Sequence, residues 1–468
     1  MIGMMLVFAA CTGSGCAGQS QDDTSVVETG DFEAELTLED DIPTVGWARW
    51  TTDAPGTSWV EFGPTLSLGS STPVSTGTAT EHAVLVAGLS PNAIWYWRAA
   101  SEVDGEVLRS AVRTVETGVS PRDLPRLTLG EYDASLQAPG YTLTTSLGDP
   151  SWVIIYNGDG DPIWWQQAPS DRVVAQARLT DNGTAVVYNV ASLNFGTDVG
   201  QILRVRLDGD LLSETRTVMG HHDFLELEEG GFAYIAADTR AWVNPDDGLT
   251  YDVVGDALYE LPEGATEDTE RTLVWDTWDD IAVDVDPLVD NDFYPFGLDW
   301  THCNGLATDG AGNYVVSVRK ENAFVKVDGS TGETLWQLGG VGAEFTQTEG
   351  RAFIGQHSPD LTDGGFLLFD NGDPEAEDAY SEAVEYTVDE DGRTYTPIWS
   401  YNYDKRISSY LLGDVERLSN GNTLVAWGSG GVITEVTPAG EVAFQVSLAI
   451  GSAVGFTHHV DALGGVLP

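Results

Sequence analysis

The chain has 468 residues, 42% hydrophobic and 10% aromatic, with 53 glycines and 20 prolines, a composition of folded modules that excludes a mostly disordered chain. Asp and Glu total 74 against 21 Lys and Arg, a formal charge of −53, so nucleic acid and anionic membrane surfaces are excluded as general partners by repulsion. The acid excess otherwise reads as a solvated surface. Basic residues stand out wherever they occur, and the only lysines are Lys320, Lys326 and Lys405.

Residues 1–10, MIGMMLVFAA, form a short apolar run ending in two alanines before Cys11, and TGSGCAGQSQDDTS follows. This resembles a bacterial lipoprotein signal, which needs small residues before the acceptor cysteine and a flexible tether after it, here to about residue 30. The resemblance implies export and a lipid anchor at Cys11, with Cys16 the alternative, in the bacterial cell envelope on the periplasmic side or at the outer-membrane surface. No later stretch approaches the roughly 20 apolar residues of a spanning helix. Only Cys303 remains in the folded part, so there is no disulfide framework. It lies between His302 and Asn304, and a strand points it to the face opposite theirs.

Residues 31–118 alternate as short strands, TVGWARWTT, SWVEFG, HAVLVAGL and AIWYWRAASEV, divided by turns such as DAPG and LSPN. This spacing predicts a small β-sandwich. The run GLSPNAIWYWR resembles the corner of a fibronectin type III module, with Trp95 where that family usually has tyrosine. A spacer or positioning role is expected, and His82 within it is assigned no function. Residues 119–127, with Pro121 and Pro125, read as a linker into a domain over 128–468.

That domain repeats. A turn followed by an aromatic-bearing strand recurs as GDPIWW (Trp164), RTLVWDTW (Trp275), GETLWQLGG (Trp336), TPIWSYN (Trp399) and GEVAFQV (Phe444). The later intervals, 45 to 63 residues, suit four-stranded propeller blades. A Gly-rich turn feeding an alternating strand recurs as DNGTAVVYNV, EGGFAYIAA, GAGNYVVSVR, DGGFLLFDNG and SNGNTLVAWG. Helical periodicity is absent, and a closed ring removes exposed edges. The prediction is all-β: a six-bladed β-propeller preceded by the small β-sandwich.

Three of the seven histidines fall at one place in successive repeats. His222 precedes Gly230 by eight residues, His302 precedes Gly310 by eight, and His357 precedes Gly364 by seven. The same slots in the flanking blades fall near Ala175 and Asp414. Equivalent positions are related by the pseudo-rotation of the ring, so three imidazoles converge on a central pocket if the slot lies near the axis. Arg319, on the strand after His302, supplies a permanent charge and a fork of donors suited to a tetrahedral oxyanion. His221 adjoins His222, and spacing favours His222 as the pocket residue. GFTHHVDALGG, with His458 and His459, looks like a shortened repeat that closes the ring.

At these residues the chain resembles the bacterial arylsulfate sulfotransferases, which do not use the nucleotide sulfate donor. The likeness runs through HHDFLEL, DWTHCNGL, VSVRKENAFVKVDGSTGETLWQLGG, and QHSPDLTDGGFLLFDNGD followed by YSEAVEYTVDEDG, over nearly all of residues 130–450. It implies a six-bladed propeller with a small β-sandwich, moving sulfate between phenols through a sulfohistidine. Carried over by motif, His357 falls on the nucleophile, and His222, His302 and Arg319 fall on residues that bind and polarise the sulfuryl group. Asn304, His221 and Lys320 are the expected substrate-binding support. The chain departs from the related pattern at Gly305, where serine is usual, at Lys320, where histidine is usual, and in Ser-Pro-Asp after His357.

Sulfuryl transfer expels a phenolate. A neutral imidazole therefore attacks sulfur while cationic or hydrogen-bonding groups meet the growing charge, and His302 or His222 moves the proton. Ping-pong kinetics, no cofactor and no metal are expected, with a small aryl sulfate donor and a phenol acceptor as partners; a homodimer is left open. The alternative is a lipid-anchored propeller that binds sulfated or other anionic ligands without turnover. A zinc or copper site of three histidines ranks lower because Arg319 beside a dication is unfavourable. The acidic clusters LEDDI, EGATEDTE, WDDIAVDVDPLVDND and DPEAEDAY match no calcium-loop spacing, and acid abundance makes carboxylate pairs for glycoside hydrolysis uninformative.

Overall fold

The computed structural model describes residues 30–192, 200–290, 293–449 and 452–464. Cys11, Cys16, the signal segment and nearly all of the tether lie outside the described residues.

The alternating segments of the N-terminal region pair antiparallel. Ile94–Val103 is the hub, bonded to Trp59–Gly63, Glu106–Arg109 and Arg113–Glu116, while Gly46–Gly56 takes Ala34–Leu38 and Ala79–Val86. Period-two alternation turns Trp50, Val60, Phe62 and Trp97 onto one buried cluster. His82 stacks on Trp50 with ring centroids 5.0 Å apart. The region is joined to the larger domain by Thr44 Oγ1 donating to the Ile163 carbonyl (2.7 Å) and Trp47 Nε1 donating to Asp208 Oδ2 (3.1 Å). Ile42 and Val45 also enter the core around Trp164 and Trp165.

From Thr128 onward, six sheets built on four antiparallel strands form a ring, a six-bladed β-propeller. The innermost strands, in ring order, are Ala453–Val460, Arg172–Leu179, Gly220–Glu226, Cys303–Thr308, His357–Thr362 and Asp414–Arg417, each touching the next. The Gly-rich repeats are the second strands of their blades, and the aromatic repeats are the fourth. Leu211–Arg216, the outermost strand of the second blade, carries no aromatic, which is why the interval from Trp164 to Trp275 spans two blades.

Strands from both ends of this domain close the ring. Ala453–Val460 pairs with Tyr141–Leu147 as the innermost strand of the first blade, so GFTHHV lies where its likeness to the repeat placed it. Thr128–Tyr132 adds to the outer edge of the sixth blade against Val442–Ser447, a second seam absent from the sequence reading. Carboxylates staple neighbouring inner strands: Asp223 accepts from Leu306 N (2.9 Å), Asp360 from Arg417 N (3.1 Å) and Asp414 from Thr457 N (2.7 Å). One short α-helix, Thr277–Asp280, is described, and the two-residue strand Leu298–Asp299, paired parallel with Thr250–Leu261, precedes the fourth inner strand.

Candidate active site

The three histidines of the repeat sit where the inner strands of blades three, four and five begin. Each strand breaks register there, between Gly220 and Phe224, Cys303 and Gly305, and His357 and Asp360. Bulges re-aim side chains. His222 and His302 themselves take left-handed backbone, φ 51° and 52°, whereas in the fifth blade that conformation falls on Ser358, φ 49°, one residue after His357. Non-glycine residues held this way each cost about 1–3 kcal/mol, which surrounding contacts must offset.

His357 is 2% exposed. Its Nδ1 lies 2.7 Å from Asn371 Oδ1 and 3.1 Å from the Gly355 carbonyl. The Asn371 amide cannot be turned round, because its Nδ2 donates to the Ser409 (2.6 Å) and Leu412 (2.8 Å) carbonyls. Nδ1 therefore faces only acceptors and carries the hydrogen, leaving a lone pair on Nε2. Burial, then the charge of Arg319, push the His357 pKa down to about 3. The imidazole is thus neutral and nucleophilic throughout the physiological range.

His302, also buried, is held through Nδ1 by Asp299 Oδ2 at 2.7 Å. Asp299 stands three residues earlier and is 1% exposed. Lys320 lies behind this pair, its Nζ donating to Asp290 Oδ1 (2.8 Å) and the Asp299 carbonyl (3.0 Å) and standing 3.6 Å from Asp299 Oδ2. Lys320 thus joins two carboxylates that hold the His302 segment.

His222 is held through the same ring atom, its Nδ1 lying 2.8 Å from Nδ1 of His221. His221, 4% exposed, turns its Nε2 to Asp256 Oδ1 at 2.9 Å. Burial first, then His221, His302, His357 and Arg319, hold the His222 pKa well below the ordinary histidine value. The His222 and His302 rings are 5.0 Å apart, and Phe293 packs 4.2 Å from the His302 ring. The structure therefore brings His222, His302, His357 and Arg319 to one site and places His221 behind His222. All three central histidines are gripped at Nδ1, which leaves Nε2 of each for a ligand.

Arg319 is half-buried, and its Nη2 donates to the Tyr410 carbonyl at 3.2 Å. Asn304, fully buried, spends Nδ2 on the Gln356 carbonyl (2.8 Å) beside His357, and its Oδ1 has no hydrogen-bond partner among the described residues. The Cys303 thiol is buried, and burial beside Asp256 pushes its pKa far up, which leaves it inert. Asp256, Asp299 and Asn371 were missed from sequence. Asp299 carried a signal in its i,i+3 spacing to His302, whereas Asp256 reaches His221 across 35 residues and carried none. Among the described residues, no group of three or more His, Cys, Asp or Glu is arranged to hold a metal ion. The arrangement can bind a tetrahedral anion, attack it with one imidazole and move protons with two others.

The model of the arylsulfotransferase (ASST) family matches residues 133–449. No curated protein matches the chain. Among solved structures, a protein of unknown function from Bacteroides caccae is 13% identical over 69% of this chain and all of its own, with a TM-score of 0.43. A streptogramin B lyase is 12% identical over 73% of this chain and all of its own, with a TM-score of 0.37. At such identities and scores the likeness carries no argument about this chain.

Proposed function

The chain belongs to the arylsulfotransferase family, and we propose that it transfers a sulfuryl group from a phenolic sulfate ester to a phenol by a ping-pong route through a sulfohistidine on His357. The observation that carries this reading is the His357 tautomer: Nδ1–H is committed to Asn371 and Gly355, and the ring is held neutral. In the first half-reaction the Nε2 lone pair attacks sulfur, the bond from sulfur to the aryl oxygen breaks, and the phenolate leaves with that electron pair and takes a proton. In the second, an acceptor phenol gives up its proton and attacks the same sulfur, and the bond from sulfur to Nε2 breaks, restoring the imidazole.

Arg319 supplies fixed positive charge for the sulfuryl oxygens. His302, anchored on Asp299, and His222 stand beside it as proton carriers, with Asn304 a further polar contact. We read the N-terminal strands as a fibronectin III-like spacer, and the segment through Cys11 as a lipid anchor in the cell envelope.

Intact-protein mass spectrometry of the chain with 4-nitrophenyl sulfate tests the reading. One added sulfuryl group, removed by phenol and absent in His357→Ala, is the expected result. An unmodified protein that releases no phenol from several aryl sulfates would instead support a module that binds anions without turnover.

A further inference from the structure

Resting on this sulfuryl-transfer reading, the geometry points to Asp256 and His221 as a buried proton store for His222, so that the proton given to the departing phenolate is held on His221 between turnovers.

The problem it solves is electrostatic. Burial first, then His221, His302, His357 and Arg319, oppose a charge on the His222 ring. A group that cannot hold a proton is a poor donor to a leaving group. The next ring away, buried as well, faces a carboxylate. His221 Nε2 is 2.9 Å from Asp256 Oδ1, and the other carboxylate oxygen accepts from Thr301 Oγ1 (2.6 Å) and the Cys303 backbone nitrogen (2.7 Å). Burial opposes the charge on Asp256, yet its hydrogen bonds from His221, Cys303 N and Thr301 hold its pKa below the usual carboxylate range. Asp256 also acts on Tyr294 and Cys303, and burial pushes both of these far up, so both stay neutral. Asp256 is therefore an anion at its contact with His221.

The hydrogen balance follows from atoms already in contact. With Asp256 accepting from His221 Nε2–H, a protonated His221 donates Nδ1–H to the bare Nδ1 of His222, whose proton then sits on Nε2. When the bond from sulfur to the aryl oxygen breaks, His222 Nε2–H goes to the phenolate oxygen and His221 Nδ1–H moves across the 2.8 Å contact to His222 Nδ1. His221 is left neutral and no charge remains on His222. In the acceptor half-reaction both protons move back: the phenol hydrogen to His222 Nε2, and the hydrogen on His222 Nδ1 to His221. His221 is a positioning residue that touches no substrate, and His222 is the group that exchanges protons with it.

The test compares two donors in the wild type and in His221→Gln, following phenol release and the protein-bound sulfuryl group. Phenyl sulfate needs a proton on its leaving group, whereas 4-nitrophenolate leaves without one. The expected result is a loss on phenyl sulfate about 100-fold larger than the loss on 4-nitrophenyl sulfate, and the same difference between donors in Asp256→Asn. Equal losses on both donors, or none on either, would overturn the relay while leaving sulfuryl transfer standing. A wild type that forms no adduct with either donor overturns both readings. Should the variants not fold, the wild-type rate on phenyl sulfate in mixtures of light and heavy water decides: a curved dependence marks two protons in flight, and a straight line overturns the store.

Discussion

Gly305 on the fourth inner strand lies directly against Pro359 on the fifth: a Cβ at 305 would stand 2.5 Å from Pro359 Cδ and 3.1 Å from the Ser358 backbone nitrogen. These are two of the places where the chain departs from the related pattern, which usually has serine at 305 and no Ser-Pro-Asp after the histidine. The two departures touch, and the glycine makes room for the proline beside the residue that follows His357.

Gly305→Ser is therefore expected to destabilise the protein by about 1–3 kcal/mol through overpacking. It should also lower activity, because the displaced segment carries His357. Combined with Pro359→Ala, most of the loss should be recovered. Urea unfolding of the two single variants and the double variant checks this, and additive losses would show that the contact is not the cause.

Asn371 sets which nitrogen of His357 attacks. Asn371→Asp places a carboxylate against Nδ1 and raises the proton affinity of the ring, and each pKa unit so gained leaves tenfold less neutral imidazole at any pH below it. Phenol release from 4-nitrophenyl sulfate should fall with decreasing pH over a range where the wild type is flat, and recover toward pH 8. A variant slowed equally at every pH would point to misplacement of the ring instead.

Asp299→Asn tests the support of His302. The amide keeps the shape but not the charge, and it can present a donor to Nδ1, turning the ring to the wrong tautomer. In the serine protease triad the equivalent change costs about 10⁴-fold in kcat, and a loss of at least 100-fold is expected here with the fold retained. Steady-state kinetics beside circular dichroism would show it; near-normal turnover would remove His302 from proton transfer.

Stability should fall on the acid side partly because of His357. Its folded-state pKa of about 3 lies below the ordinary value of 6.5, so the unfolded chain binds the extra proton and stability declines as pH drops through the interval between them. Burial raises Asp370 and Asp414 to about 6, which acts in the opposite sense, favouring the folded state as pH falls below 6. Replacing the histidine isolates its share: His357→Asn should lose less stability than the wild type between pH 7 and pH 4.5, by on the order of a few kcal/mol. Thermal melts at the two pH values check the difference, and identical slopes would refute it.

Much of the ring was legible because each blade repeats a local rule. Gly-rich turns precede second strands, aromatics mark outer strands, and both patterns depend on neighbours a few residues apart. Where a blade lacks its aromatic, as at Leu211–Arg216, the period skips, and the blade is recovered only from its hydrogen bonds. The strand Thr128–Tyr132 read as the start of the domain, and nothing in its five residues announced a partner more than 300 positions away.

The sequence by itself determined the histidine slot, because pseudo-rotation turns equal offsets in three repeats into convergence on one axis, and it singled out Arg319 on the strand after His302. Only the tertiary structure decided which nitrogen each imidazole presents. That choice rests on Asn371, Asp299 and the pair His221 and Asp256. Of these contacts, those of Asp299 with His302 and of His221 with His222 are local, while Asn371 directly follows the strand Gly365–Asp370 and Asp256 comes from the strand Thr250–Leu261. A tautomer is set by the hydrogen-bond partner of one ring atom, at a distance that chain separation does not encode.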